Sequence, residues 1–146
     1  MAPRQFIFFL KWAAQFHKDL QDFYHARSKE VLSHEVETLL KYLARHEASL
    51  AHIIEAYEED APEQVLEAWF KVAPDLRVVH FPEEYEFGPT ATVEEVIDKA
   101  VAIDESLIAI YKMLLRQAGS EGLKEILMDL LNEEQREEVR LLTSQR

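Results

Sequence analysis

The chain has 146 residues, of which 48% are hydrophobic, and it carries a formal net charge of −12. That length suits one domain with one substantial core, so we expect a single domain over residues 1–146. The charge argues against binding to nucleic acid or to anionic membrane surfaces, since no run of lysine and arginine offers a basic patch. The absence of cysteine excludes disulfides, thiolate catalysis and cysteine-ligated metal sites, and it fits the cytoplasmic location that we expect.

The composition favours an all-α fold, because there are only 3 glycines and 5 prolines while Ala, Leu, Glu and Lys are abundant. Apolar residues recur at three- and four-residue steps and predict four long helices, at residues 3–29, 33–60, 92–118 and 120–143. The last three predicted helices each begin at a residue type that favours N-caps, namely Ser33, Thr92 and Ser120. The apolar run at residues 6–10 belongs to the first helix, because Lys11 ends it too early for a signal or membrane anchor.

The middle of the chain, residues 61–91, has a different character. It opens with a short predicted helix at about 62–71 and continues as an irregular stretch containing Pro74, Pro82 and Pro89. A link of this length between two helical hairpins must run the length of a bundle, so the second and third long helices become parallel. The loop lengths therefore predict a four-helix bundle with ferritin-like connectivity, made of two antiparallel hairpins joined by a long crossover.

The two hairpins also resemble one another in sequence at an offset of 87 residues, and each predicted helix carries a polar residue on its apolar face. His17 corresponds to Asp104, and Glu47 corresponds to Glu134. Each of these side chains lies roughly 22 Å from its own predicted turn, at 1.5 Å per helical residue, so all four should meet at one level. Glu137 lies three residues beyond Glu134 and joins the same face.

Five ionisable groups inside an apolar bundle indicate a metal centre. Carboxylates and imidazole are the ligands of hard and borderline divalent cations, and this set could hold two ions of iron or manganese. Without a cation, buried carboxylates would raise one another's pKa values and destabilise the fold at neutral pH. The predicted ligands are His17, Glu47, Asp104, Glu134 and Glu137.

The segments around these residues resemble the rubrerythrin-type ferritin-like family. Residues 16–24 and 103–111 are similar to the family pattern in which a ligand glutamate precedes a tyrosine by seven positions, and residues 43–50 and 130–137 are similar to its Glu-x-x-His helices. The resemblance implies iron redox chemistry with oxygen or peroxide and an unidentified redox partner. It also implies that Glu47 and Glu134 bridge the ions.

In the same resemblance, His17, Asp104 and Glu137 are terminal ligands. The chain departs from the pattern at these positions, because His17 and Asp104 replace glutamates, while Leu50 and Glu137 replace the two histidines. Tyr24 and Tyr111 lie two turns from His17 and Asp104 on the same faces, where their hydroxyls could donate hydrogen bonds to ligand carboxylates or simply belong to the core.

Three uses of such a bundle stay open from the sequence. The first is a metal protein, the second is a metal-free structural or protein-interaction module whose site has degenerated, and the third is a carrier of an apolar ligand, which would need a cavity. We expect a homo-oligomer, most simply a dimer, and the sequence leaves open whether the protein is an enzyme. His46 and His52 flank Glu47 but project from other sides of the helix, which predicts solvated or interface histidines rather than ligands.

Overall fold

The computed structural model describes residues 4–144, and it confirms the all-α class. The α-helices of this part of the chain are α1 Phe6–Ser28, α2 His34–Asp60, α3 Glu63–Leu66, α4 Val93–Gln117 and α5 Glu121–Thr143. The short helix α3 ends earlier than the predicted residue 71, because the chain leaves the helix after Leu66 and Trp69 then forms an isolated antiparallel bridge with Gln5. In residues 4–144, no helix combines the length and the apolar character that crossing a membrane requires.

Three of the four long helices begin at the residues that the sequence predicted. In each case the side-chain oxygen of the N-cap accepts a hydrogen bond from a backbone N–H of the first turn. The pairs are Ser33 with Val36 at 3.3 Å, Thr92 with Glu95 at 3.1 Å and Ser120 with Leu123 at 3.2 Å. These caps set where α2, α4 and α5 begin, and so they help to set the height at which each helix presents its polar residue.

The crossover runs along the whole length of α1. Near its beginning, the Phe6 N–H donates to the Ala68 carbonyl at 2.9 Å, and at its far end the Leu32 N–H donates to the Pro89 carbonyl at 3.0 Å. Aromatic side chains join the middle of the crossover to α1, with ring contacts among Phe16, Phe23, Phe81 and Phe87. Since α2 and α4 both begin beside this far end, they run parallel, as the loop lengths predicted.

The second hairpin packs so that α5 lies antiparallel beside α2. The Tyr42 hydroxyl, early in α2, reaches Glu137 late in α5, while the Tyr57 hydroxyl, late in α2, reaches Asp129. Within residues 4–144, few buried side chains are polar, and they are His17, Ser28, Glu47, Asp104, Glu134 and Glu137. Apart from Ser28, these are the five ionisable residues that the sequence predicted inside the bundle. The apolar core therefore contains one compact set of ionisable groups.

Candidate carboxylate–histidine site

All five predicted site residues are buried in the middle of the bundle, and the most deeply buried is His17, with no exposed surface. They come from all four long helices, because α1 provides His17, α2 provides Glu47, α4 provides Asp104 and α5 provides the other two. The predicted burial of these side chains is confirmed. Whether they bind metal stays a prediction.

His17 faces two carboxylates at once. Its Nδ1 lies 2.6 Å from Glu47 Oε1, and its Nε2 lies 3.5 Å from Glu134 Oε1. A carboxylate oxygen only accepts hydrogen bonds, so Nδ1 is the donor in the short contact with Glu47. The longer contact is not a hydrogen bond, and the buried Nε2 has no hydrogen-bond partner.

Asp104 and Glu134 form the second close pair. Burial raises the pKa values of both carboxyl groups well above their usual range, and the neighbouring carboxylates raise them further. After burial, the negative charge of Glu134 is the next cause of the raised pKa of Asp104. One buried oxygen of each, Asp104 Oδ2 and Glu134 Oε2, has no hydrogen-bond partner.

Glu137 sits at the edge of the set, and side chains from α2 and α5 hold it. The Tyr42 hydroxyl donates to Glu137 Oε2 at 3.1 Å, and Arg140 Nη1 donates to the same oxygen at 3.3 Å. Burial raises the pKa of Glu137, while the contacts with Tyr42 and Arg140 oppose that shift. Glu137 Oε1 has no hydrogen-bond partner, so one oxygen of this carboxylate is held and the other is free.

His46 also belongs to this edge, which corrects the sequence-based expectation that its side chain would project away from the site and be solvated. Its side chain is only 11% exposed, its Nδ1 lies 3.4 Å from Glu137 Oε2, and its ring stacks on Tyr42. Burial lowers the pKa of His46. His52, by contrast, is exposed.

Sequence reasoning therefore missed Tyr42, His46 and Arg140. The available signal was spacing, since Tyr42 and His46 are four residues apart and Glu137 and Arg140 are three apart, so each pair shares a helix face. That signal is weak because the two faces meet only once α2 and α5 are packed. Tyr24 and Tyr111 are buried as expected, and burial together with the site carboxylates raises both of their pKa values.

The donor set agrees chemically with a divalent cation. Four carboxylates and one imidazole are ligands for hard and borderline ions, and unpartnered buried atoms belong to His17, Asp104, Glu134 and Glu137. As the side chains stand in the described part of the chain, no three His, Asp or Glu residues converge closely enough to hold one ion. Binding would therefore require at least one carboxylate to change its rotamer.

Comparison with known proteins identifies the fold. No protein-family profile matches the sequence, and no curated protein does. Among solved structures, the chain is similar to a Thermotoga maritima protein described as a candidate ferritin-like diiron-carboxylate protein, with a TM-score of 0.72 and 18% identity over 98% of this chain and 95% of that one. The fold is thus ferritin-like, as the loop lengths indicated, and at this identity the likeness shows the fold alone.

Proposed function

We propose that this ferritin-like chain binds a divalent metal, iron or manganese, at the carboxylate–histidine set between its four long helices. The observation that carries the proposal is the group of buried donor atoms without hydrogen-bond partners, because a buried acceptor left unpaired costs about 1–3 kcal/mol. A cation would satisfy several of them together. It would also offset the burial and the mutual repulsion that raise the pKa values of Asp104 and Glu134.

The residues that would hold the metal are drawn from His17, Glu47, Asp104, Glu134 and Glu137. A bound iron or manganese ion would supply redox chemistry with oxygen or peroxide. The protein's own contribution is burial, which excludes water, and the neighbouring hydrogen bonds, which orient His17 and Glu137. The description of the Thermotoga protein as a diiron-carboxylate protein is consistent with this role.

Metal analysis tests the proposal. The purified chain is reconstituted with Fe(II) or Mn(II), desalted and analysed for metal beside Glu47→Ala and Glu134→Ala. Glu125→Ala is the matched control, because Glu125 is an exposed glutamate on α5. We expect metal in the wild type and the control and a clear loss in Glu134→Ala. Equal background metal in all four proteins would reject metal binding.

A second candidate function is a metal-free structural or interaction module, and the 2.6 Å contact between His17 and Glu47 favours it. In that case His17 satisfies the hydrogen-bonding need of the Glu47 carboxylate, and the buried polar residues are what is left of a degenerated metal site. Replacing a buried polar pair by hydrophobic residues of similar volume is often neutral or stabilising. The double variant His17→Leu/Glu47→Leu would then match or exceed the wild-type midpoint in urea, and a chelator would leave both midpoints unchanged.

We also propose that the protein forms a homodimer. Several large apolar side chains near the start of α1 and in the crossover are exposed, among them Phe8, Trp69 and Val72. Light scattering tests the proposal, with Trp69→Glu as the variant expected to shift the population toward the monomer. A wild-type protein that has the mass of a monomer would reject the proposal.

A further inference from the structure

The orientation of His17 is set by one carboxylate and leaves its second nitrogen free beside another. Because Nδ1 donates to Glu47, the neutral ring carries its lone pair on Nε2, which is buried and has no hydrogen-bond partner. Histidines that ligate metals very often donate their other ring N–H to a carboxylate in this way, which fixes the tautomer and the ring orientation. His17 therefore has the local arrangement of a metal ligand, with Glu47 behind it.

The spacing between His17 Nε2 and Glu134 Oε1 fits two donors on one ion. Donor atoms that each lie about 2.1 Å from a metal at tetrahedral or octahedral angles are separated by about 3.0–3.5 Å. The observed separation is 3.5 Å, which is too long for a good hydrogen bond. Asp104 is buried in the same set and its Oδ2 has no hydrogen-bond partner, so a change of rotamer would bring it to the ion as a third donor.

The other two carboxylates are engaged elsewhere. Glu47 accepts the hydrogen bond of His17, and Glu137 is held by Tyr42 and Arg140 at the edge of the set. The two hairpins are also unequal, because Leu50 occupies in the first hairpin the position that Glu137 has in the second. A second ion would thus lack part of its ligand set on the side of α2.

We propose, building on metal binding as the function, that the site holds a single divalent cation through His17 Nε2, Glu134 and Asp104. Glu47 is then a positioning residue, because it orients the imidazole and does not bridge two ions. Two carboxylates with one imidazole suit manganese or ferrous iron better than softer ions. The asymmetry of the duplicated hairpins is the physical reason for one ion in place of two.

Manganese stoichiometry tests the inference. The full chain is titrated with Mn(II) by equilibrium dialysis, and its electron paramagnetic resonance spectrum is recorded, for the wild type and for Glu47→Gln, His17→Gln and Glu134→Gln. We expect one Mn(II) per chain with the spectrum of an isolated ion. Glu47→Gln should keep that stoichiometry with roughly 10–100-fold weaker affinity, since the glutamine oxygen still accepts from Nδ1. His17→Gln and Glu134→Gln should lose more affinity than Glu47→Gln.

Two results would overturn the inference and leave metal binding intact. One is two Mn(II) ions per chain with an exchange-coupled spectrum, and the other is a loss in Glu47→Gln as large as in Glu134→Gln. A wild type that binds neither Mn(II) nor Fe(II) would overturn the proposed function itself. The circular dichroism spectrum of each variant shows whether it has folded. If a variant fails to fold, the Mn(II) stoichiometry of the wild type still decides the question.

Discussion

His17 on α1 and Glu47 on α2 meet in the interior of the bundle, with Nδ1 2.6 Å from Oε1. The two residues lie 30 positions apart, on either side of the turn that joins α1 to α2. Asp104 and Glu134 occupy the matching positions of the second hairpin, and the charge of Glu134 adds to the effect of burial in raising the pKa of Asp104, so the duplication brings together an imidazole–carboxylate pair and a pair of carboxyl groups. The cross-contact from His17 to Glu134 links the two pairs into one site.

The buried carboxyl groups predict an unusual dependence of stability on pH. The pKa values of Asp104, Glu134 and Glu137 are raised in the fold above 3.8 and 4.5, so the native state retains protons that the unfolded chain has lost. Their stabilising contribution is complete below those ordinary values and is lost as pH rises toward the folded pKa values, by about 1.4 kcal/mol per pH unit for each retained proton.

Urea unfolding in the presence of a chelator at about pH 5, 7 and 8 measures this dependence. We expect the free energy of unfolding to fall as pH rises, and the double variant Asp104→Asn/Glu134→Gln to show a flatter profile. Exposed carboxylates such as Glu37, whose pKa is lowered by Lys41, act in the opposite direction but contribute little because solvent screens them. A wild-type profile that rises with pH would contradict the prediction.

Metal removal should lower the melting temperature. A ligand that binds only the native state stabilises it, by about 2.7 kcal/mol when its free concentration is 100 times its Kd. Thermal melts of the Mn(II)-loaded protein with and without a chelator measure the effect, and Glu134→Gln, which lacks one carboxylate, should show a much smaller difference. Identical melts of the wild type with Mn(II) and with chelator would show that no such linkage exists.

The hydroxyl of Tyr42 should matter more for stability than that of Tyr57. Tyr42 donates to the buried Glu137, and hydrogen bonds to charged groups contribute about 1.5–3 kcal/mol, so Tyr42→Phe should destabilise the protein by about that amount. Tyr57 donates to Asp129 at the surface, where Tyr57→Phe should cost less than about 1 kcal/mol. Urea midpoints compare the two, and an equal loss would mean that burial of the acceptor is not decisive.

The N-cap of α4 should contribute measurably as well. Thr92 Oγ1 accepts from the Glu95 N–H, and replacing such a cap by alanine costs about 1 kcal/mol. The control is Ser49→Ala, at an exposed position inside α2, where alanine's higher helix propensity should leave stability unchanged or slightly raised. Chemical denaturation of both variants measures the difference, and no loss in Thr92→Ala would argue against the cap.

Local patterns were sufficient to predict the helices and their order. The three- and four-residue apolar steps located the four long helices, and the side chains of Ser33, Thr92 and Ser120 cap three of them as expected. The prediction of the short helix was too long, because Trp69 pairs with Gln5, a contact between distant parts of the chain that a local pattern does not contain. The length of the crossover then indicated the connectivity, because a link of that length must run along the whole bundle and so makes α2 and α4 parallel.

By itself, the sequence determined which ionisable groups are buried, because helical periodicity places His17 and Glu134 on apolar faces at matching distances from their turns. Only the tertiary structure decided how these groups pair. The direction of the His17 ring and the packing of Tyr42 and His46 against Glu137 depend on side-chain rotamers and on the fit of α2 to α5. Periodicity fixes a residue's face and height along one helix, whereas a hydrogen bond between helices depends on their separation and rotation, which arise from the packing of the whole core.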